Sequence, residues 1–150
     1  MRTETALIIE ALEEIGSKPI SAPEEFLTWL TSHHIPPGVT AFLQSACLAE
    51  SADLGVIHLS SFSQIMRYHT EDPTLLESQF LQVGGASNGD PVVIDLLSGT
   101  SGYLSHELLW EGDPAPLRDN FRVLAPTIGE LVKSSMKDDS FPIDWHDAVS

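Results

Sequence analysis

The sequence predicts an α+β domain, a mainly antiparallel sheet with helices packed around it. Three observations point there. Apolar residues recur at spacings of three and four through the first third of the chain. From Gly55 onward the pattern changes to short apolar runs set off by glycine, proline and Asn-Gly turns. Those runs lie close together in sequence, which favours antiparallel neighbours over crossover connections.

Thr3 to Ile15 reads as an amphipathic helix, with Ile8, Leu12 and Ile15 at helical spacing and Ala11 beside them. Gly16-Ser17-Lys18-Pro19 breaks it. Ser21 and Glu24 have capping-box spacing ahead of Phe26, Leu27, Trp29 and Leu30, so a second helix is expected. Pro36-Pro37 punctuates the chain, and Pro37 suits the first turn of a third helix, where its missing N–H is not needed. Val39, Phe42, Leu43, Ala46 and Cys47 form the cleanest helical stripe.

Val56-Ile57-His58-Leu59 is a strand candidate. Ser60 or Ser61 is placed to cap a helix carrying Phe62, Ile65 and Met66, which Glu71-Asp72-Pro73 ends. Phe80 to Val83 is the next strand, and residues 84–90 form a hairpin loop with Asn-Gly chemistry. Val92 to Leu96 is the strongest strand, nearly all apolar and so central. Tyr103 to His106 and Leu108 to Trp110 read as one bent strand or two short ones. Gly112 to Pro116 is a rigid loop, and Phe121 to Leu124 an edge strand. Thr127 and Glu130 form a second capping box, opening a helix whose Ile128, Leu131 and Val132 face the core. The acidic tail from Lys137 carries Phe141, Ile143 and Trp145, which are expected to dock on the body.

At 150 residues and 42 % apolar composition, the chain fits one domain spanning 1–150 with one core. No apolar run approaches the roughly 20 residues needed to cross a bilayer. The amino-terminal stretch Ala6-Leu7-Ile8-Ile9 is short and flanked by glutamates, unlike a signal peptide, so the expected location is the cytoplasm. Cys47, the only cysteine, sits on the apolar face of a predicted helix and reads as a buried thiol.

Charge is the most unusual bulk property. Seven Lys and Arg stand against 22 Asp and Glu, a formal net charge of −15. Such a field repels phosphate backbones and anionic lipid, arguing against direct binding of nucleic acid or membrane. It attracts a basic protein.

Signatures of chemistry are sparse. No cysteine pair or His-Glu-x-x-His arrangement marks a metal site, and no motif marks a cofactor. His106-Glu107 reads as a strand end, its side chains on opposite faces. The glycines at 84, 85 and 89 do not match a dinucleotide fingerprint and lead into a strand rather than a helix N-terminus. A small-molecule or metal-dependent enzyme would need a deep pocket gathering carboxylates with His58, His69 or His106.

The order of these pieces resembles the SUKH superfamily, the cell-wall-regulator-like and bacterial immunity-protein domain, over about residues 35–132. Ile35-Pro36-Pro37-Gly38-Val39-Thr40-Ala41-Phe42-Leu43 is similar to its opening helix. Leu59 to Ile65 is similar to its short strand and following helix. Phe80 to Gly84, then Asn88-Gly89-Asp90 and Val93-Ile94-Asp95-Leu96, is similar to its signature hairpin. Ala125 to Leu131 is similar to its closing helix. The chain departs from the family where many members carry Asn-Gly-Gly: Cys47-Leu48-Ala49-Glu50 stands there. Val39 and Ile128 occupy its aromatic positions.

The resemblance implies a mixed sheet wrapped by helices and no catalytic centre. It also implies an immunity protein that neutralises a cognate toxin, often a nuclease and hence basic. The alternative is a regulatory or scaffold module that binds a cellular protein. In either case the expected contacts are aromatics beside carboxylates: Glu107, Trp110, Glu111 and Asp113 on one strand end and loop, with Tyr103 and Asp90 on neighbouring segments.

Overall fold

The computed structural model describes residues 4–109 and 114–149. It is an α+β fold. Helices α1 (Glu4–Glu14), α2 (Glu24–Ser32) and α3 (Pro37–Ser45) come first, followed by strands β1 (Ala52–Leu54) and β2 (Ile57–Leu59). Helices α4 (Phe62–Glu71) and α5 (Thr74–Glu77) lead to β3 (Phe80–Ala86), β4 (Pro91–Asp95) and β5 (Ser101–Tyr103). Short helices α6 (His106–Leu109) and α7 (Pro114–Asp119) precede β6 (Arg122–Ala125), α8 (Ile128–Lys137) and α9 (Trp145–Val149).

The strands form one sheet in the order β1-β2-β3-β4-β5-β6, every described neighbour antiparallel. The mixed sheet implied by the family resemblance is therefore corrected: each strand pairs with the next in sequence, and no parallel crossover is needed. The alternation of β3 and β4 feeds two apolar clusters. Leu81 and Ile94, opposite one another, enter the main core with α1, α2, α3, α4 and α8. Phe80 and Val93 point the other way, into a smaller cluster with Leu75, Leu104 and Leu117. Both strands are buried along their whole length, which is why they read as continuous apolar runs.

Pairing accounts for several local features. β2 covers only the second half of β3. At the uncovered half α4 takes over, and the Gln82 N–H donates to His69 Nε2 at 3.0 Å in place of a ladder bond. Ser61 caps α4 and Thr127 caps α8, each accepting from the backbone N–H three residues on. The Glu4 carboxylate adds a second cap, accepting from the Ile128 N–H. Ser135 of α8 clasps the β1–β2 turn, its hydroxyl donating to the Leu54 carbonyl and accepting from the Val56 N–H.

Other expectations are corrected. Pro23, not Ser21, occupies the N-cap of α2, and no side chain caps it. Ile15 lies past the end of α1 and is exposed. Cys47 is buried but follows α3 rather than riding on it. The strand expected over 103–106 stops at Tyr103, and residues 106–109 are helical where a strand was expected. Residues 114–116 open a helix instead of a loop.

Candidate protein-binding surface

At one end of the sheet the β3–β4 turn, α6 and the tail meet at Asp90. Its Oδ1 accepts from the His106 N–H at 2.9 Å and contacts His106 Nδ1 at 2.6 Å. Its Oδ2 accepts from Asn88 Nδ2 and from the Trp145 N–H, both at 2.9 Å. His106 and Trp145 are the first residues of α6 and α9. One carboxylate thus receives the first N–H groups of two helices, at the helix ends where negative charge is favoured. Burial pushes the Asp90 carboxyl up. The bonds from the His106 N–H, Asn88, the Trp145 N–H and the His106 ring outweigh it, holding the group below the usual carboxylate range.

Tyr103, expected as a partner contact, is also internal. It is fully buried, its hydroxyl donates to the Pro142 carbonyl at 2.7 Å, and its ring meets Phe141 edge-on. Burial, reinforced by Asp144, Asp90 and Asp147, pushes its phenol well up. Asp90 and Tyr103 therefore organise the surface and do not present themselves on it. The sequence showed an aspartate in a loop and a tyrosine in a strand; neither shows the helix starts or the carbonyl that claim them. Glu107 is exposed on α6, as a contact residue must be, though on a helix and not at a strand end. Trp110, Glu111 and Asp113 lie outside the described residues.

The tail docks as expected through Phe141 and Trp145, whereas Ile143, expected to dock with them, stays exposed. Phe141 is buried and Trp145 half-buried, its indole N–H donating to the Asn120 carbonyl at 2.6 Å. The docked tail brings Asp144 and Asp147 beside Tyr103 and sets exposed Ile143 against the β1–β2 turn. The tail's aromatics carried the only sequence signal for this docking.

The far end of β4 is closed by Asp95. It accepts from the Leu97 N–H, the Ser98 hydroxyl and Arg118 Nη2, the last at 2.8 Å. Arg118 also lies over the Phe80 ring, 4.5 Å from its centroid. Arg67 pairs with Glu71 and Lys137 with Glu14, so these three cations are held by carboxylates of the chain itself. The exposed Glu13, Glu24, Glu25, Glu50, Asp53, Glu77, Glu107 and Asp119 leave the surface strongly negative.

Concave features are modest. An apolar pocket of about 20 Å3 sits among α2, α3, α4 and β3, lined by Phe26, Phe42, Cys47, Phe62 and Ile65. Burial pushes the Cys47 thiol up, away from its reactive form. A groove of about 230 Å3 between α1 and α8 is rimmed by both signs, Glu10 and Glu14 with Lys133 and Lys137. Among the described residues, no three His, Cys, Asp or Glu side chains are grouped to hold a metal ion. No helix among them is long and apolar enough to cross a membrane.

Compared with models of known protein families, with curated proteins and with solved structures, the chain finds no match.

Proposed function

We propose that this chain is a non-catalytic, protein-binding domain that acts in the cytoplasm as an immunity protein of the SUKH type, neutralising a basic toxin domain. The observation that carries the reading is the surface excess of carboxylates behind the net charge of −15. A toxin that acts on nucleic acid presents positive charge to its substrate, and a strongly negative protein competes for that same charge. The ordered motifs of the opening helix, the hairpin and the closing helix supply the family argument. The bonds at Asp90 tie α6 and the tail to the β3–β4 turn, which reduces the ordering that docking there would cost.

The test is co-expression of this chain with a basic toxin domain encoded beside it. The expected outcome is restored growth and a 1:1 complex on size exclusion. A complex with a basic cellular protein and no toxin would replace this reading with the regulatory one. Failure to hold any basic domain, with the chain folded, would overturn both.

A further inference from the structure

The β1–β2 turn, the end of β3 and the tail enclose a shallow groove of about 290 Å3, lined by Asp53, Val56, His58, Gly85, Ser87 and Ile143 among others. Asp53 and His58 are directly opposite in the β1–β2 pair, on the face turned away from the main core. Neither side chain makes a hydrogen bond or ion pair with another described residue. Gly85 lies under the imidazole: a Cβ there would stand 2.9 Å from His58 Cε1, so the glycine lets the ring lie close to the strand. Ile143 is 50 % exposed and presents a bare aliphatic wall. Among the described residues, no Lys or Arg lines the groove.

A carboxylate with open acceptor capacity, a flat ring and an aliphatic wall in one shallow groove are the complement of one side chain. Arginine carries a planar, forked cation that suits a carboxylate and a ring face, and methylenes that pack on apolar surface. It is also enriched at the centres of interfaces. We propose that this groove receives an arginine side chain of the basic partner, with Asp53 accepting the guanidinium, His58 flanking it, and Ile143 and Val56 covering the stem. The assignment rests on the protein-binding reading above and names the contact that reading lacks.

The probe is the tripeptide acetyl-Gly-Arg-Gly-amide, titrated into the intact chain and followed by the backbone amide resonances. Its lysine and all-glycine counterparts serve as controls. The arginine peptide is expected to move the amides of Asp53, Val56, Gly85 and Ile143 saturably, and more than the lysine peptide does. Asp53→Asn should weaken it about fivefold, the scale of an exposed ion pair. Ile143→Ser should weaken it with Asp53 in place. Both positions are exposed, so the variants keep the fold. Shifts spread alike over other acidic segments such as Glu24-Glu25, no loss in Asp53→Asn, or equal response to lysine would each overturn the proposal. A basic toxin domain held equally well by Asp53→Asn would overturn the groove alone. Arginine-peptide binding here, with no basic domain captured, would leave the groove standing and overturn both partner readings given above.

Discussion

Two buried side chains contribute to the acid response of the fold in different pH ranges. His69 accepts the Gln82 N–H through Nε2, so its ring proton sits on Nδ1; the ring centroid lies 5.8 Å from that of Trp29. Protonating Nε2 would place a donor against a donor. Burial first, and then the neighbouring His33, pushes the imidazole down from 6.5 to about 4. Between those values the unfolded chain binds the proton and the folded chain does not. Stability is therefore full above pH 6.5 and falls as pH drops toward 4, by about 3 kcal/mol in all. Urea unfolding across that window should show the slope in the native chain and its absence in His69→Gln. Asp90 acts lower. Its carboxyl is held below the ordinary value of 3.8, so its contribution is present above that value and lost as pH falls beneath it. Asp90→Ala strands the N–H groups of His106 and Trp145 and should cost roughly 3 kcal/mol or more, read as a shift in unfolding midpoint. Hydrogen exchange should show the tail opening first. The composition of this site was legible and its wiring was not. Asp90 serves residues 16 and 55 positions away, and no local pattern encodes such a reach.

Among the elements, α8 and the β1–β2 turn show how closely a helix can be keyed to a sheet. Gly55 has a positive φ of 80°, and a Cβ there would run into the Ser135 backbone carbonyl. Gly16 also has a positive φ, 72°, but nothing within 4 Å of its absent Cβ. Gly16→Ala should cost only the conformational penalty, roughly 1 kcal/mol. Gly55→Ala must also separate α8 from the turn and should cost roughly 3 kcal/mol or more. Thermal unfolding of the two variants side by side measures the difference. Residues 84–86, expected as loop, instead continue β3, where two glycines and an alanine carry no strand signal. The helices with strong apolar stripes, β4 and the first half of β3 were legible because burial makes them apolar. The β1 strand was not: Ala52–Leu54 is three residues long with Asp53 in the middle, and it is a strand because β2 folds back on it. Nor was α6, whose apolar Leu108-Leu109 invites a strand reading, while Asp90 receives its first N–H from the neighbouring turn.

For the whole molecule, the excess charge has a consequence that can be measured without a partner. Carboxylates scattered over a small body repel one another, and the unfolded chain relieves that repulsion by spreading them apart. The described opposite-charge contacts work against it but are few, with Arg67–Glu71 and Lys137–Glu14 exposed and worth at most about 1 kcal/mol each. Salt screens both, but the repulsions outnumber the attractions. The Debye length falls from about 30 Å at 0.01 M to about 3 Å at 1 M, reaching the distances between neighbouring surface acids. Sodium chloride should therefore raise the unfolding midpoint, where a charge-balanced domain would lose a little stability. Binding should answer with the opposite sign. The same screening removes the long-range pull on a basic partner, so the association rate should fall steeply with salt while the dissociation rate, set by short-range contacts, changes little. The two measurements on one protein separate the meanings of the charge. A chain stabilised by salt whose partner still associates at a salt-independent rate would be acidic for solubility alone. A chain showing both responses uses its carboxylates, at some expense of its own stability, to draw that partner in.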